Sequence, residues 1–295
     1  MRTALVVLAM APCVAGRASA QSVPDGVRVL RDVVYARVGE KSLLMDIYSP
    51  ENSTGPLPAV MYIHGGGWRR GDKRQETPLP LIPHGYVVAS VNHRFSQEAI
   101  FPAQIEDCKA AVRFLRARAK TYGIDPDHLG VWGDSSGGHL AALVGTSGDV
   151  KELEGRVGEH LDVPSRVQAA CVYYGPIDFI AILGQKSDIR RGSPGAPESQ
   201  LLGGPTLEHR DLALRACPLT YVTKDAPPFL IVHGERDARV PREQSESLRD
   251  ALRAAGVEAT LEIIEGAGHG FTRDENLKAM PAVAAFFDRH LKALK

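Results

Sequence analysis

The 295-residue sequence has no excess of charge of either sign and few long apolar runs. Its 35 Lys and Arg residues balance 35 Asp and Glu residues, so the overall charge attracts neither nucleic acid nor an anionic membrane. This balance favours a neutral substrate of modest size. Beyond the N-terminus no stretch is apolar enough to cross a bilayer as a helix. We therefore expect no nucleic-acid partner and, beyond the N-terminus, no membrane anchor.

Cysteine is also scarce, with four residues in the chain. Cys13 lies in the N-terminal segment, which leaves Cys108, Cys171 and Cys217, an odd number without metal-ligand spacing. One disulfide with a leftover thiol fits this count, and so do three buried small side chains. An H-E-x-x-H zinc motif is absent from the sequence as well. We predict no metal site and no cofactor.

The first 20 residues have the layout of a secretory signal. Arg2 precedes an apolar run at residues 4–10, and small residues lead to the A-x-A pattern at 18–20. The apolar run is too short to span a bilayer. We expect cleavage after Ala20, which would make the mature chain, residues 21–295, a secreted or periplasmic protein. A packed or mobile N-terminal segment is the alternative.

Short apolar runs alternate with helical patterns along the rest of the chain. Runs bounded by Gly, Pro or charged residues suit strands buried on both faces of a parallel sheet. These runs are residues 59–63, 86–91, 129–132, 169–174, 229–232 and 260–264. Residues 33–35 and 43–48 predict an edge hairpin, and residues 105–119, 244–255 and 280–294 predict helices. This alternation predicts an α/β fold with a mainly parallel sheet flanked by helices.

Residues 175–228 interrupt the alternation. They are rich in Gly and Pro, contain no clear strand, and are too long for a simple connection in a compact domain. We expect a partly helical, cap-like excursion over one edge of the sheet, within a single domain over residues 21–295.

The strongest chemical signal is Gly133-Asp134-Ser135-Ser136-Gly137, a G-x-S-x-G motif. An apolar run precedes it, and a helix-like segment at residues 140–143 follows. A serine between glycines on a sharp strand-to-helix turn lifts its hydroxyl out of the sheet, near the positive end of the helix. The motif predicts Ser135 as a nucleophile. Ser136 has the wrong spacing to the glycines, and a glycine-rich helix start that binds phosphate is the other alternative.

A run of glycines follows the predicted strand at residues 59–63. In His64-Gly65-Gly66-Gly67-Trp68, no side chain prevents backbone N–H groups from turning toward a ligand. Ester cleavage creates a negative oxygen on the tetrahedral intermediate, and fixed N–H donors stabilise it. We predict that the N–H groups of Gly66, Gly67 and Ser136 form this oxyanion hole. His64 is expected to brace the loop, and a flexible glycine turn is the alternative.

Two further polar segments, residues 233–237 and 268–271, directly follow predicted strands. Both fall at the carboxyl edge of the sheet, where open α/β sheets place their sites. A serine hydroxyl needs an imidazole to accept its proton and a carboxylate to orient that imidazole. The order serine, acid, histidine predicts a catalytic triad of Ser135, Asp237 and His269, with Glu235 as the competing acid. The histidines expected only to pack or to form hydrogen bonds are His93, His139 and His233.

With these motifs in place, the chain resembles the bacterial α/β-hydrolases grouped around feruloyl and acetyl-xylan esterases, relatives of the hormone-sensitive-lipase-like esterases. The segments that carry the resemblance are residues 64–68, 101–104, 122–126, 133–139, 227–237 and 268–271. Two positions depart from the common pattern. Ser136 stands where these enzymes often have Ala, and His93 stands where Asn-Tyr-Arg would be usual. Neither departure removes a predicted catalytic group.

The resemblance implies a serine esterase that cleaves acyl esters, often acetyl or feruloyl groups on plant polysaccharide, through an acyl-enzyme on Ser135. Its partner would be a small-molecule or oligosaccharide ester. Kynurenine formamidases are also similar, so cleavage of a formamide by the same triad is an alternative. A non-catalytic binding protein on the same fold is a third reading, which predicts the loss of at least one triad position.

Overall fold

The computed structural model describes residues 23–75 and 77–292. The predicted signal segment, residues 1–20, lies outside the described residues. Within them, one eight-stranded sheet has the order β1-β2-β4-β3-β5-β6-β7-β8. Its strands are β1 (Val27–Val38), β2 (Lys41–Pro50), β3 (Leu57–Ile63), β4 (Val87–Val91), β5 (Ile124–Asp134), β6 (Ala169–Tyr173), β7 (Phe229–Gly234) and β8 (Ala259–Ile264).

The sheet is parallel except at one edge. β1 and β2 form an antiparallel hairpin, and β2 also pairs antiparallel with β4, so β2 alone among the described strands is reversed. The remaining neighbours, from β4 through β3 and β5 to β8, all pair in parallel. The predicted edge hairpin and the predicted α/β fold are both confirmed. The parallel arrangement brings the ends of β3, β5, β7 and β8 to one edge of the sheet.

Helices cover both faces of this sheet. In the described part of the chain the α-helices are α1 (Ala103–Ala117), α2 (Ala119–Tyr122), α3 (Ser136–Thr146), α4 (Pro197–Leu202), α5 (Arg210–Ala216), α6 (Glu243–Ala254) and α7 (Arg273–Leu291). Short 3-10 helices lie at Leu79–His84, Lys151–Leu153, Ala181–Gly184 and Pro218–Tyr221. None of the helices within the described residues has both the length and the apolar character needed to cross a membrane.

The central strands are apolar throughout because each face is covered. Along β3, Met61 joins the core formed with α1, α3 and α6, whereas Tyr62 joins the core under α7. In β5, Val131 lies in the first of these cores and Trp132 in the second, because successive side chains of a strand point to opposite faces of the sheet. Helix α3 begins directly after the turn that follows β5, and it is buried along its whole length.

Helix α7 begins earlier than its apolar pattern predicted. It starts at Arg273 rather than at residue 280, and Pro281 lies inside it. Thr272 and Glu275 form a reciprocal capping box, in which the Thr272 side chain accepts the Glu275 N–H and the Glu275 carboxylate binds the Thr272 N–H. The first turns are polar, so they carry no apolar periodicity. The prediction of the start was therefore wrong, and the capping box was the signal to use.

The chain between β6 and β7 forms no strand. Residues 175–228 are all described, and their regular structure is limited to α4, α5 and two 3-10 helices. Leu201 and Leu202 of α4 and Ala213 of α5 are buried in the core on the α3 side of the sheet. The segment is thus anchored to the sheet by its short helices.

The three cysteines in the described residues are free thiols. Cys108, Cys171 and Cys217 are all buried, and none forms a disulfide. Burial raises the pKa of the Cys171 thiol well above its ordinary value, so this side chain stays protonated. Of the two alternatives left open by the sequence, the structure selects buried small side chains.

Candidate active site

Ser135 occupies the turn between β5 and α3. Its φ of 51° lies in a region that side chains rarely adopt. A Cβ atom on Gly133 would lie 2.2 Å from the carbonyl oxygen of Gly137, and one on Gly137 would lie 2.0 Å from that of Ile63. Only glycine fits at these two positions. The motif is therefore required by close backbone packing, which holds the serine at the carboxyl end of β5.

Ser135, His269 and Asp237 lie in hydrogen-bond contact. Ser135 Oγ is 2.9 Å from His269 Nε2, and His269 Nδ1 is 2.7 Å from Asp237 Oδ2. The Asp237 side chain is fully buried and the His269 side chain is 13% exposed, while Ser135 is half-buried. With Nδ1–H donating to the carboxylate, Nε2 is free to accept the serine proton. The loops after β5, β7 and β8 supply the three side chains.

Asp237 is held by the backbone of its own loop. Its Oδ1 accepts the N–H groups of Arg239 and Val240 at 2.8 and 2.9 Å. Burial acts to raise the pKa of Asp237, but hydrogen bonds from His233 and His269 outweigh it and hold the pKa well below its ordinary value. The carboxylate is therefore ionised and oriented toward the imidazole ring.

His233 is a partner of Asp237 whose position the sequence did not reveal. Its Nε2 lies 2.9 Å from the Val240 carbonyl oxygen and 3.4 Å from Asp237 Oδ2. The Ser245 hydroxyl lies 2.7 Å from its Nδ1. A donor at Nε2 and an acceptor at Nδ1 satisfy this set of neighbours. The expectation of a hydrogen-bonding role holds, and that role is to support the Asp237 loop.

Glu235, the competing acid, lies on the same loop but makes other contacts. Its carboxylate accepts the N–H of Gly266 at 2.9 Å and lies 3.9 Å from Arg236 Nε. Its side chain is 43% exposed. Asp237, and not Glu235, is the carboxylate bonded to the His269 ring.

The glycine loop after β3 borders the same cavity. Gly66 and Gly67 have φ values of 115° and 66°, and a Cβ on Gly66 would lie 2.1 Å from the Arg70 carbonyl oxygen. The N–H groups of Gly66, Gly67 and Ser136 donate to no acceptor within the described residues. All three residues line a cavity of about 660 Å³ together with Ser135 and His269. The arrangement leaves these three donors available to a bound oxygen.

Asp134 has a role that the sequence reasoning missed. Its Oδ1 accepts the Gly65 N–H at 2.9 Å and the Tyr62 hydroxyl at 2.7 Å. The residue before the serine thereby ties the serine turn to the glycine loop. The two segments that line the cavity around Ser135 are thus held by one buried carboxylate.

Three buried histidines surround these loops. His64 Nδ1 lies 2.7 Å from the Gly65 carbonyl oxygen, and its ring stacks on His93 at 5.0 Å. His139 Nε2 lies 2.7 Å from the Ala216 carbonyl oxygen, and its ring stacks on Phe179. His64 therefore braces the glycine loop, as expected. Burial lowers the pKa of each of these three histidines to about 4.

We expect these histidines to make the protein sensitive to acid. In the unfolded chain they bind protons near their ordinary pKa of about 6.5, whereas the folded protein keeps them neutral down to about pH 4. Above pH 6.5 the three histidines are neutral in both states and do not lower the free energy of unfolding. As the pH falls from 6.5 toward 4, the unfolded chain binds protons that the folded protein does not, so the free energy of unfolding decreases. Three protons correspond to a slope of at most about 4 kcal/mol per pH unit.

Urea unfolding between about pH 8 and pH 5 would measure this dependence of the free energy of unfolding. His139→Gln, which retains a donor for the Ala216 carbonyl, should lower the slope by about one proton. A free energy of unfolding that stays constant between about pH 7 and pH 5 would contradict the prediction.

The mainly parallel sheet, with its serine on a strand-to-helix turn at the carboxyl edge, defines an α/β-hydrolase. The chain belongs to the BD-FAE family, whose model matches residues 45–252. This membership confirms the resemblance drawn from the motifs.

Curated relatives include two proteins of Mycobacterium tuberculosis. The chain is 32% identical to Esterase LipQ over 263 residues, which are 87% of this chain and 61% of that protein. It is 30% identical over 244 residues to a probable carboxylic ester hydrolase, LipM, covering 78% of this chain and 55% of that protein. The chain thus spans less than two thirds of the length of these relatives.

The chain covers a larger share of two similar solved structures than of these relatives. A truncated carbohydrate esterase from gut microbiota superposes with a TM-score of 0.81 and 33% identity, covering 90% of this chain and 97% of that one. An acetyl ester-xyloside bifunctional hydrolase from Caldicellulosiruptor lactoaceticus has a TM-score of 0.70 and 27% identity, covering 85% and 89%. The fold described here is that of these enzymes.

Proposed function

We propose that the protein is a serine carboxylic-ester hydrolase that cleaves short-chain acyl or aryl esters through an acyl-enzyme on Ser135. The observation that carries the proposal is the hydrogen-bonded series of Ser135 Oγ, His269 and Asp237, with distances of 2.9 and 2.7 Å. Relatives described as esterases and carbohydrate esterases support ester hydrolysis as the reaction.

The reaction begins with attack of Ser135 Oγ on the acyl carbon. His269 Nε2 accepts the hydroxyl proton, and the ionised Asp237 stabilises the resulting imidazolium. The carbonyl oxygen becomes negative and is stabilised by N–H groups of the glycine loop and of Ser136. Each of these donors contributes a factor of about 10² to 10³ to turnover in comparable sites.

The tetrahedral intermediate then collapses and the ester C–O bond breaks. The alcohol leaves with the proton that His269 returns to it, and the acyl group remains on Ser135. Water enters, His269 accepts one of its protons, and the hydroxide attacks the acyl carbon. Collapse of the second intermediate releases the carboxylic acid and restores the serine hydroxyl. The cycle consumes one water and needs no other reactant.

A panel of four substrates tests this proposal: p-nitrophenyl acetate, acetylated xylan, methyl ferulate and N-formylkynurenine. We expect the purified protein to release p-nitrophenol from the first and acetate or ferulate from at least one natural ester. Turnover of N-formylkynurenine without turnover of any ester would favour the formamidase alternative. No turnover of any substrate, in a folded preparation, would favour the non-catalytic alternative.

A further inference from the structure

Arg191 and Glu198 form a buried ion pair in the wall of the catalytic cavity. Both belong to the segment between β6 and β7, and both line the cavity that contains Ser135. Arg191 Nη1 donates to Glu198 Oε1, and the two side chains are only 4% and 3% exposed. Neither residue belongs to a motif, and the reaction scheme above does not use them.

The pair leaves two hydrogen-bonding atoms unused. Within the described residues, Arg191 Nε and Glu198 Oε2 are buried and have no partner. Buried polar atoms are nearly always paired, because an unmade hydrogen bond at that depth is unfavourable. One unused atom is a donor and the other an acceptor. Both belong to charged groups, whose hydrogen bonds are the stronger ones. Since both residues also line the cavity, a ligand bound there could supply the two missing partners.

The pair lies between the two loops that border the reacting atoms. Pro197, adjacent to Glu198, has a side-chain atom 3.5 Å from the position of a Cβ on Gly67. At the other end, Arg191 Nη2 donates to the carbonyl oxygen of Arg239, whose own N–H binds Asp237. A group bound by the pair would therefore lie in the same cavity as Ser135, between these two loops, where the alcohol part of a bound ester can be accommodated.

We propose that Arg191 and Glu198 form the subsite that selects the alcohol, by binding its hydroxyl groups. A hydroxyl both donates and accepts, so neighbouring hydroxyls on one ring can donate to Glu198 Oε2 and accept from Arg191 Nε. The carboxylate neutralises the guanidinium, so the favoured alcohol is uncharged, as in a neutral sugar unit. A plain aryl alcohol would leave both atoms unpaired. This inference rests on the proposed ester hydrolysis.

Two acetate esters that differ only in their alcohol test the subsite. In Glu198→Gln, we expect KM for an acetylated methyl xyloside to rise about 10- to 100-fold, the loss typical of one charged hydrogen bond. Hydrolysis of p-nitrophenyl acetate should change by less than about twofold, because its alcohol has no hydroxyl for the pair. Glu198→Asp keeps the charge but withdraws the carboxylate from the position of Oε2, and it should show the same selective loss. It serves as a second test where Glu198→Gln fails to fold.

Glu246→Gln is the matched control, since Glu246 also pairs with an arginine, Arg242, on the surface of α6. We expect this variant to hydrolyse both acetate esters with the kinetics of the wild-type protein. Equal losses on the two acetates in both Glu198 variants would assign the pair a structural role and overturn the proposal. Unchanged kinetics on the acetylated sugar would overturn it too. So would a wild-type protein that cleaves p-nitrophenyl acetate but not the acetylated sugar.

Binding of unesterified xylotriose, followed by ligand-observed NMR, separates this inference from the proposed reaction. We expect the wild-type protein to bind the trisaccharide and Glu198→Gln to lose most of that binding. If this pattern holds in a protein that hydrolyses no ester, the hydrolase proposal fails and the sugar subsite stands. If neither protein binds the trisaccharide, the subsite is refuted even where esters are hydrolysed.

Discussion

Ser135→Ala is expected to reduce the turnover of p-nitrophenyl acetate by about 10⁶-fold, as the loss of the nucleophile does in comparable triads. The hydroxyl at the end of β5 is the group bonded to His269 Nε2, at 2.9 Å. The neighbouring Ser136 side chain is buried and has no hydrogen-bond partner within the described residues. It is therefore in no position to replace the missing hydroxyl. Steady-state kinetics with a matched preparation of the wild-type protein would measure the loss.

Ser147→Ala provides the control for the serine substitution. Ser147 follows the other end of α3, where its buried hydroxyl donates to the Leu143 carbonyl oxygen at 2.6 Å. We expect this variant to keep its activity within about twofold while losing about 1 kcal/mol of stability with its hydrogen bond. Undiminished turnover in Ser135→Ala would refute the assignment of the nucleophile.

Asp237→Asn is expected to lower kcat by about 10⁴-fold, as the same change does in a comparable triad. Asp237 Oδ1 accepts two backbone N–H groups, so an asparagine would keep its oxygen there and turn its NH₂ group toward His269. The ring would then present Nδ1 as the acceptor and Nε2–H toward Ser135. Such a ring cannot accept the serine proton. The kcat for p-nitrophenyl acetate is the measurement.

Glu235→Gln is the matched control on the same loop. Its carboxylate contacts Gly266 N–H and not the His269 ring, so kcat should change by no more than a few-fold. If Glu235→Gln were the inactive variant and Asp237→Asn remained active, the acid of the proposed triad would be wrong.

The predicted strands agree with the structure because their signal is local. A strand covered on both faces must be apolar along its length, and the runs around Val60, Val131 and Ile231 show this. Helix α7 was predicted less well, because its first turns are polar and its start depends on the cap at Thr272. The expected cleavage after Ala20 stays a prediction from the sequence.

Part of the candidate active site could be predicted from the sequence for a similar reason. Gly133 and Gly137 are required by backbone contacts close to the serine, so they leave a pattern in the sequence. The ion pair of Arg191 and Glu198 leaves none, because it joins a residue outside regular structure to a residue of the short helix α4. The contact of His233 with Asp237 also follows from the path of a loop rather than from a motif.

The sequence by itself determined which residue types could react and where the strands that carry them would end. Steric exclusion around glycine and the burial of apolar strands act over a few residues, so both are visible in the order of amino acids. Only the tertiary structure showed that Asp237, the predicted acid, and not its competitor Glu235 contacts the imidazole, and only the tertiary structure decided which charged groups line the cavity. Ser135 and His269 are 134 residues apart, and His269 and Asp237 are 32 apart. Contacts at such separations depend on how the parallel strands align, and that alignment is a property of the whole sheet.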